Sequence, residues 1–185
     1  MKTSFKLSRR NQQRGLSIIG ALLALVIGAL LLIPVVNAFL DSQRKTRIED
    51  NAQEIRTIIA DLQKVYGVNN QYAGATTATA VQGAIIPARL RVAGTTTANN
   101  SYNGAITVAP ATITVANDAV TLTWSAVNQA DCADLLFSIN PLTRRLQVGA
   151  TVVKPNDGVI NAATVATSCD AAAPVALAFT IGRKG

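Results

Sequence analysis

The stretch from residue 16 to residue 40 reads LSIIGALLALVIGALLLIPVVNAFL and contains no charged residue. A helix needs about 20 predominantly apolar residues to cross the hydrocarbon core of a bilayer, so this stretch is long enough to span a membrane. It is too uniformly apolar to be one face of a soluble helix. The stretch therefore predicts a membrane-spanning helix near the N-terminus.

The charges on either side of this stretch predict its orientation. Basic residues without any acid precede it, whereas bases and acids are mixed in residues 41–50. The positive-inside rule then leaves the N-terminus in the cytoplasm and sends the rest of the chain across the membrane. Because the basic excess is concentrated in residues 1–15, the chain shows no basic surface typical of nucleic-acid binding, and we predict no nucleic-acid partner. The basic residues of this segment are Lys2, Lys6, Arg9, Arg10 and Arg14.

The N-terminal segment permits several ways of processing. An ordinary signal peptide would end at residues 36–38 (VNA) and leave Phe39 as the first residue, although its apolar region would be longer than the usual 7–15 residues. A twin-arginine signal at residues 8–10 (SRR) is disfavoured, because polar residues follow it. An uncleaved anchor and a cut at the cytoplasmic edge, between Gly15 and Leu16, are the remaining alternatives.

Beyond residue 40 the pattern changes to that of an amphipathic helix. Apolar residues recur at spacings of three and four, with charged residues between them. Gly67 and the polar residues after it predict the end of the helix. If both parts are continuous, one helix covers residues 16–66 and is about 75 Å long. The predicted apolar stripe consists of Ile48, Ala52, Ile55, Ile58, Ile59, Leu62 and Val65.

Residues 67–185 predict one domain of mixed α and β structure outside the cytoplasm. Residues 68–98 are expected to be irregular, with at most a short helix. A helix is expected at residues 128–137, with Asn128 as its cap. A turn at residues 102–104 is expected to lead into a first strand at residues 105–108, and residues 111–115 would extend this strand or form another. Further strands are expected at residues 119–127, 145–148, 151–153 and 175–181.

The chemistry of the chain argues against an enzyme. There is no histidine, which removes the commonest general base and the commonest metal ligand. We find no catalytic residues, no phosphate-binding loop and no cofactor or metal site in the sequence. In an exported protein the two cysteines, Cys132 and Cys169, are typical of one disulfide, with two unpaired buried thiols as the alternative.

The junction Arg14-Gly15-Leu16-Ser17 resembles the leader of type IV prepilins, in which a short basic segment ends in Gly before a long apolar helix. The resemblance implies that prepilin peptidase removes residues 1–15 by cutting between Gly15 and Leu16, that Leu16 is N-methylated, and that the helix is kept. It also implies an inner-membrane assembly platform and a helical homo-oligomeric filament. The subunit would be a single-pass inner-membrane protein before assembly and part of an extracellular pilus afterwards.

The C-terminal part is similar to the type IVb pilins, which include those of thin conjugative pili. The shared features are the turn at residues 100–104, Cys132 within NQADCADLL, and Cys169 shortly before residues 173–179 (APVALAF). The resemblance implies an α+β fold, with an antiparallel sheet packed on the long helix and a Cys132–Cys169 bridge. It further implies a structural function in adhesion, cell–cell contact or conjugation.

Two features of the apolar stretch bear on assembly. Pro34 lacks an N–H and clashes with the preceding turn, so it predicts a kink or local unwinding of the helix. Gly20, Ala24 and Gly28 lie four residues apart on one face, where small side chains let membrane helices approach closely.

One departure from the pilin pattern leaves the exact role open. Most type IV pilins carry Glu at the fifth position after the cleavage site, and here that position is Gly20. The departure favours a minor or tip pilin over a major one. A secretion pseudopilin and a membrane-tethered periplasmic domain that does not polymerise are further alternatives.

Overall fold

The computed structural model describes residues 18–69, 71–170 and 174–182. The packing divides the chain after Gln43 into two compact units. The first contains the N-terminal half of a long helix, and the second contains the rest of that helix and everything after it. The elements are the α-helices α1 (Ile18–Tyr66), α2 (Thr77–Gln82), α3 (Gln129–Ile139) and α4 (Ala162–Cys169), the 3-10 helices Gly67–Asn69, Ala88–Leu90 and Asn140–Leu142, and the strands β1 (Ala98–Asn99), β2 (Ala105–Ala111), β3 (Ala119–Val127), β4 (Arg145–Val148), β5 (Thr151–Lys154) and β6 (Val175–Gly182).

Helix α1 is α-helical over all of its 49 residues and ends where Gly67 begins a 3-10 turn, as the sequence predicts. In the second unit the predicted stripe is buried from Ile48 to Leu62. The assignment of Val65 to this stripe was wrong, because its side chain is 56% exposed. Tyr66 packs against the core from the last turn instead.

The six strands form one antiparallel sheet in the order β1-β2-β3-β6-β4-β5. The last strand of the chain, β6, is inserted between β3 and β4, so the C-terminal segment lies at the centre of the sheet. One face of the sheet packs on helix α1 in a single hydrophobic core, confirming the predicted α+β class. The largest side chains that β3 and β6 contribute to this core are Trp124, Leu122 and Phe179.

The turn at residues 100–104 is built around a buried asparagine. The Oδ1 atom of Asn100 accepts hydrogen bonds from the N–H groups of Tyr102 and Gly104, each at 2.9 Å, and its Nδ2 donates to the carbonyl of Ser125. A Cβ on Gly104 would lie 2.0 Å from the Ser125 carbonyl oxygen, so only glycine fits there. The Asn and Gly of the predicted turn are therefore both required by contacts with β3.

The predicted strand at residues 111–115 was wrong, since β2 ends at Ala111 and a turn follows. The carboxylate of Asp118 accepts hydrogen bonds from the N–H groups of Ile113, Thr114 and Val115 at 2.7–2.9 Å. These N–H groups are therefore not available to a neighbouring strand. Burial acts to raise the pKa of Asp118, but the hydrogen bonds to its carboxylate together lower it below the ordinary value.

Helix α2 protects an edge of the sheet. Because β1 has two residues and pairs only with Ala105 and Ile106, the backbone of Val108 has no strand partner on that side. The hydroxyl of Thr77 accepts a hydrogen bond from the Val108 N–H at 2.9 Å and donates to its carbonyl at 3.3 Å. The segment 68–98 thus contains the short helix that was expected. Strand β1, which begins at the last residue of this segment, was not predicted.

The C-terminal helices differ in how well the sequence predicted them. Helix α3 was predicted, and Asn128 occupies its N-cap position, but the Asn128 side chain makes no capping hydrogen bond. Helix α4 was not predicted, although its cap is a good one: the Asn161 side chain accepts a hydrogen bond from the Thr164 N–H at 3.1 Å. The predicted strands at residues 145–148, 151–153 and 175–181 are confirmed as β4, β5 and β6.

Candidate functional site: an exposed helical surface and a polar cluster

The N-terminal part of α1, residues 18–43, is called the apolar half here. It is the one helical stretch among the described residues that is long and apolar enough to cross a membrane. Thirteen of its large apolar side chains, named at the end of this paragraph, are at least about half exposed, which in water would be strongly unfavourable. This surface therefore needs lipid or another apolar surface to cover it. The exposed residues are Ile18, Leu22, Leu23, Leu25, Val26, Ile27, Leu30, Leu31, Ile33, Val35, Val36, Phe39 and Leu40.

The residues that the sequence singled out in this region fall into two groups. The cleavage site, Gly15 and Leu16, lies outside the described residues. Gly20, Ala24 and Gly28 lie one turn apart on α1, and a Cβ added at either glycine would meet no atom within 4 Å. Pro34 lies within the α-helical span of α1, and a bend there stays a prediction.

The remainder of α1, residues 44–66, is called the packed half, and it begins with a cluster of charged groups. Arg44 Nε lies 3.1 Å from one carboxylate oxygen of Asp131, and an Arg47 guanidinium nitrogen lies 2.7 Å from the other. Arg44 also pairs with Asp134 at 2.7 Å. The Tyr102 hydroxyl donates to Asp131 at 3.0 Å, and Arg47 lies over the Tyr102 ring. These five residues are called the Arg–Asp cluster.

The Arg–Asp cluster explains how a carboxylate can be fully buried. Asp131 has no exposed side-chain surface, and burial of an unpaired carboxylate would be costly. Here two guanidinium groups and a hydroxyl satisfy its two oxygens. Burial, followed by the neighbouring Asp131 carboxylate, raises the pKa of Tyr102 far above its ordinary value, so the hydroxyl stays protonated and remains a donor. The cluster thus fastens α1 to the first turn of α3.

A second polar group lies one turn further along the packed half. Asn51 is fully buried, and its Oδ1 accepts hydrogen bonds from Trp124 Nε1 at 3.1 Å and from the Ser101 hydroxyl at 2.9 Å. Its Nδ2 donates to the Arg47 carbonyl at 2.7 Å. Asn51 therefore fixes α1 against both the sheet and the turn at residues 100–104.

Sequence reasoning missed the Arg–Asp cluster and Asn51. A usable signal exists, because Arg44, Arg47 and Asn51 follow one another at spacings of three and four on one helix face. The partners Tyr102, Trp124 and Asp131 are too distant in the chain for any spacing rule to identify them.

A third buried polar contact joins the packed half to the segment before β1. Glu54 is 6% exposed and pairs with Arg89 at 2.9 Å, while its Oε2 has no hydrogen-bond partner. Burial raises the pKa of Glu54 above its ordinary value, and Arg89 opposes this effect only in part. The ionised form of Glu54 is therefore incompletely compensated.

The two cysteines lie on different helices and form the predicted disulfide. Cys132 is in α3 and Cys169 is the last residue of α4, with their Cα atoms 5.7 Å apart. Both side chains are buried. The bond therefore ties α4, which packs on β4 and β5, to the helix that carries Asp131.

The chemistry of these sites is that of packing and charge pairing. Among residues 18–69, 71–170 and 174–182, no three His, Cys, Asp or Glu side chains are grouped so that they could hold a metal ion. The buried carboxylates Asp131 and Glu54 each pair with an arginine from another element. The arrangement is suited to holding the domain of residues 67–185, called the head from here on, on the packed half of α1.

Comparisons with known proteins agree on one class of protein. A family model described as "PilS N terminal" matches residues 45–182, which is more than half of the chain. The structure is similar to the type IV b pilin from Salmonella typhi, with 21% identity over 71% of this chain and 97% of that one and a TM-score of 0.58. It is also similar to TcpA, a type IV pilin from Vibrio cholerae El Tor biotype, with 18% identity, 73% and 98% coverage and a TM-score of 0.54. No curated protein sequence matches the chain significantly.

Proposed function

The chain belongs to the PilS family and is a type IVb-like pilin, and from this premise we propose that it polymerises into a pilus filament through the apolar half of α1. The pilin fold is structural rather than enzymatic, and it supports a role as a pilus subunit in general. In the proposal, prepilin peptidase cuts between Gly15 and Leu16, and Leu16 is methylated. The subunit then waits in the inner membrane, with its N-terminus in the cytoplasm, until an assembly platform moves it into an extracellular filament.

The exposed apolar surface of residues 18–43 carries this proposal. Removing apolar surface from water is worth about 25 cal/mol per Å². A lipid bilayer can cover the apolar half in the stored subunit, and the same halves of other subunits can cover it in a filament. Transfer from one environment to the other then exposes little apolar surface to water.

The mass of the mature protein tests this proposal directly. Protein purified from cells that contain a prepilin peptidase is expected to begin at Leu16 and to carry one methyl group. A chain that begins at Phe39 would have lost the apolar half to signal peptidase, and a chain that retains Met1 would be a plain anchor. Either result would contradict the proposal.

The small-residue face gives a second test. Gly28→Leu preserves the hydrophobicity needed for membrane insertion but prevents close helix approach, so we expect fewer filaments at an unchanged amount of subunit in the membrane. Ala29→Leu is the matched control, because the adjacent residue points to another side of the helix. Equal filament yields for the two variants would show that Gly20, Ala24 and Gly28 do not form a packing face.

A minor or tip pilin is the second candidate, favoured by Gly20 at a position where most type IV pilins have Glu. The two roles differ in abundance. A major subunit would be the dominant protein in sheared filaments, whereas a tip subunit would be present in traces. In either role, we propose that the filament serves adhesion, cell–cell contact or conjugation.

A further inference from the structure

The dipeptide Asn103-Gly104 is the one place in the chain where an asparagine precedes a glycine. At such a pair the backbone nitrogen of the glycine can attack the side-chain amide of the asparagine, because glycine has no Cβ to hinder the approach or to restrict the backbone. The reaction needs only water, so no enzyme has to recognise the site. Asn103 is exposed, in the turn at residues 100–104 that joins β1 to β2.

This reaction, deamidation, proceeds in two steps. The Gly104 nitrogen loses its proton to water or hydroxide and forms a bond to Cγ of Asn103, while the bond from Cγ to Nδ2 breaks and ammonia leaves. Water then opens the resulting cyclic imide at one of its two carbonyl carbons. Opening at the side-chain carbonyl gives an aspartate at position 103. Opening at the backbone carbonyl gives an isoaspartate, in which the main chain runs through the former side chain and is one carbon longer.

The folded turn withholds the Gly104 nitrogen from this reaction. Its N–H donates to the Oδ1 of Asn100 at 2.9 Å, in a hydrogen bond that is buried. Removal of that proton would leave a negative nitrogen facing the lone pairs of Oδ1 with no water to solvate it, which is costly. The Asn100 side chain is itself fixed in place, since it also accepts from the Tyr102 N–H and donates to the Ser125 carbonyl.

The backbone of the dipeptide is held on its other sides as well. The Gly104 carbonyl accepts from the Asn100 N–H at 2.9 Å, and Ser125 lies so close that a Cβ on Gly104 would come within 2.0 Å of its carbonyl oxygen. Asn103 is in the left-handed region, with a φ of 61°, and its N–H donates to the Asn100 carbonyl at 3.0 Å. Three backbone groups of the dipeptide are thus hydrogen-bonded to one residue, Asn100.

We propose that Asn103 is a site of spontaneous deamidation and that Asn100 suppresses the reaction as long as the turn is closed. An open turn releases the Gly104 N–H to water and frees the backbone to form the ring. Because opening is a local equilibrium, the rate in the folded chain is the rate in an open chain multiplied by the fraction of time for which the turn is open. The loss of ammonia is irreversible, so the modification accumulates in chains whose head has opened.

The isoaspartyl product would disrupt contacts beyond the turn. The space around Gly104 has no room for an additional backbone carbon, so the rest of the turn has to shift. The Ser101 hydroxyl donates to Asn51 of the packed half, and the Tyr102 hydroxyl donates to Asp131, which binds two arginines of the packed half. One modified residue at the surface would therefore loosen the attachment of the head to α1.

The test measures deamidation of the full-length chain in detergent at mildly alkaline pH, where hydroxide removes amide protons faster. Mass spectrometry of the tryptic fragment 92–144 locates the modified residue, and enzymatic methylation of isoaspartate distinguishes the two products. The samples are the parent chain with and without urea, Asn100→Ala and Val165→Ala. Val165→Ala is the matched control, because it truncates a buried side chain of α4, which packs on α3, β4 and β5, and leaves the hydrogen bonds of Asn100 in place.

We expect slow deamidation of the folded parent and fast deamidation of the parent in urea. At equal fractions of unfolded chain, Asn100→Ala should deamidate about tenfold faster than Val165→Ala, the change in an opening equilibrium when a buried hydrogen bond is lost. Chains that carry isoaspartate should unfold at a lower urea concentration than the parent. Asn103→Asp should unfold like the parent, because its backbone has the ordinary length.

Equal deamidation rates in the folded and the urea-unfolded parent would overturn the inference, since the turn would then give no protection. Equal rates for Asn100→Ala and Val165→Ala would show that Asn100 is not the protecting residue. If Asn100→Ala does not fold, the parent alone decides. Its deamidation rate and the hydrogen exchange of the Gly104 N–H should then rise together with urea concentration, and exchange that rises while deamidation does not would refute the proposal.

Discussion

The two halves of α1 have the same secondary structure and opposite surroundings. In the apolar half, large aliphatic side chains are exposed, as with Leu25 at 71%. In the packed half, Ile55, Ile58 and Leu62 have no exposed surface. The same kind of residue thus stabilises the head domain in one half and remains available for other molecules in the other.

The boundary between the halves is marked by charge. The described residues before Asp41 include no charged residue, and the Arg–Asp cluster begins at Arg44. Two arginines on α1 meet a buried aspartate on α3, so the helix is fastened to the head at the first turn where the second unit begins. A helical stretch that is long and apolar enough to cross a membrane and a helical stretch that packs in a protein core are thus both parts of α1, on either side of residue 43.

The strongest test of this comparison truncates one aliphatic side chain in each half. Ile58→Ala removes a fully buried side chain and should lower the free energy of unfolding of the head by about 2–5 kcal/mol. Leu31→Ala, at a position that is 65% exposed, should leave it unchanged. Chemical unfolding of the full chain in detergent measures both, and equal losses would show that the halves are not energetically distinct.

Removal of the disulfide should have an effect of similar size. The bond joins positions 37 residues apart, and the loop-entropy model assigns it about 3–4 kcal/mol. A Cys132→Ser, Cys169→Ser double variant should therefore unfold at a lower denaturant concentration than the oxidised chain. The control is the parent chain unfolded in the presence of a reductant, and a midpoint that the reductant does not move would contradict the expectation.

The Arg–Asp cluster should contribute somewhat less than the disulfide to the free energy of unfolding of the head. Asp131→Ala leaves two guanidinium groups and the Tyr102 hydroxyl without their shared acceptor, at a cost of about 1–3 kcal/mol, because both arginines keep access to water. Asp134→Ala removes a 57% exposed partner and should cost less than about 1 kcal/mol. If the two variants were equally stable, the buried carboxylate would not be what fastens α1 to α3.

Asp118 should make the head less stable in acid. Its pKa is lowered in the folded chain, so its contribution is present above the ordinary carboxyl pKa, near 4, and is lost as the pH falls through the lower folded value. Asp118→Asn should therefore be less stable than the parent at pH 7, and the difference should narrow in acid. Unfolding midpoints measured from pH 7 down to about pH 2 test this, and a difference that stays constant would refute it.

Glu54 should have the smallest effect on the stability of the head, and its pH dependence should have the opposite sign to that of Asp118. Its pKa is raised on folding, so its contribution to stability falls as the pH rises from the ordinary carboxyl value through the raised one. Glu54→Gln should remove this dependence and should be relatively more favourable at neutral pH than in acid. The parent chain over the same pH range is the comparison, and a Glu54→Gln variant with an unaltered profile would contradict the raised pKa.

The sequence predicted the elements that local patterns define. The apolar run and the stripe at three- and four-residue spacing predicted α1 up to Gly67, and the resemblance to type IVb pilins, based on residues 100–104, Cys132 and Cys169, is confirmed by the family and the fold. Helix α4 was missed because its small residues, AATVATSC, carry little periodic signal. The strand at residues 111–115 was wrong because Asp118, several residues later, binds the N–H groups that a strand would need.

The sequence by itself determined where apolar residues stand and at what spacing they recur along the chain. This pattern determined the long helix, its apolar N-terminal half and most strands. Only the tertiary structure decided which polar groups are buried together. Asp131, Tyr102 and Arg47 come from distant parts of the chain, and a buried charge is stable only where its partners converge on it. Local spacing governs the formation of a helix or strand, whereas such convergence depends on how those elements pack.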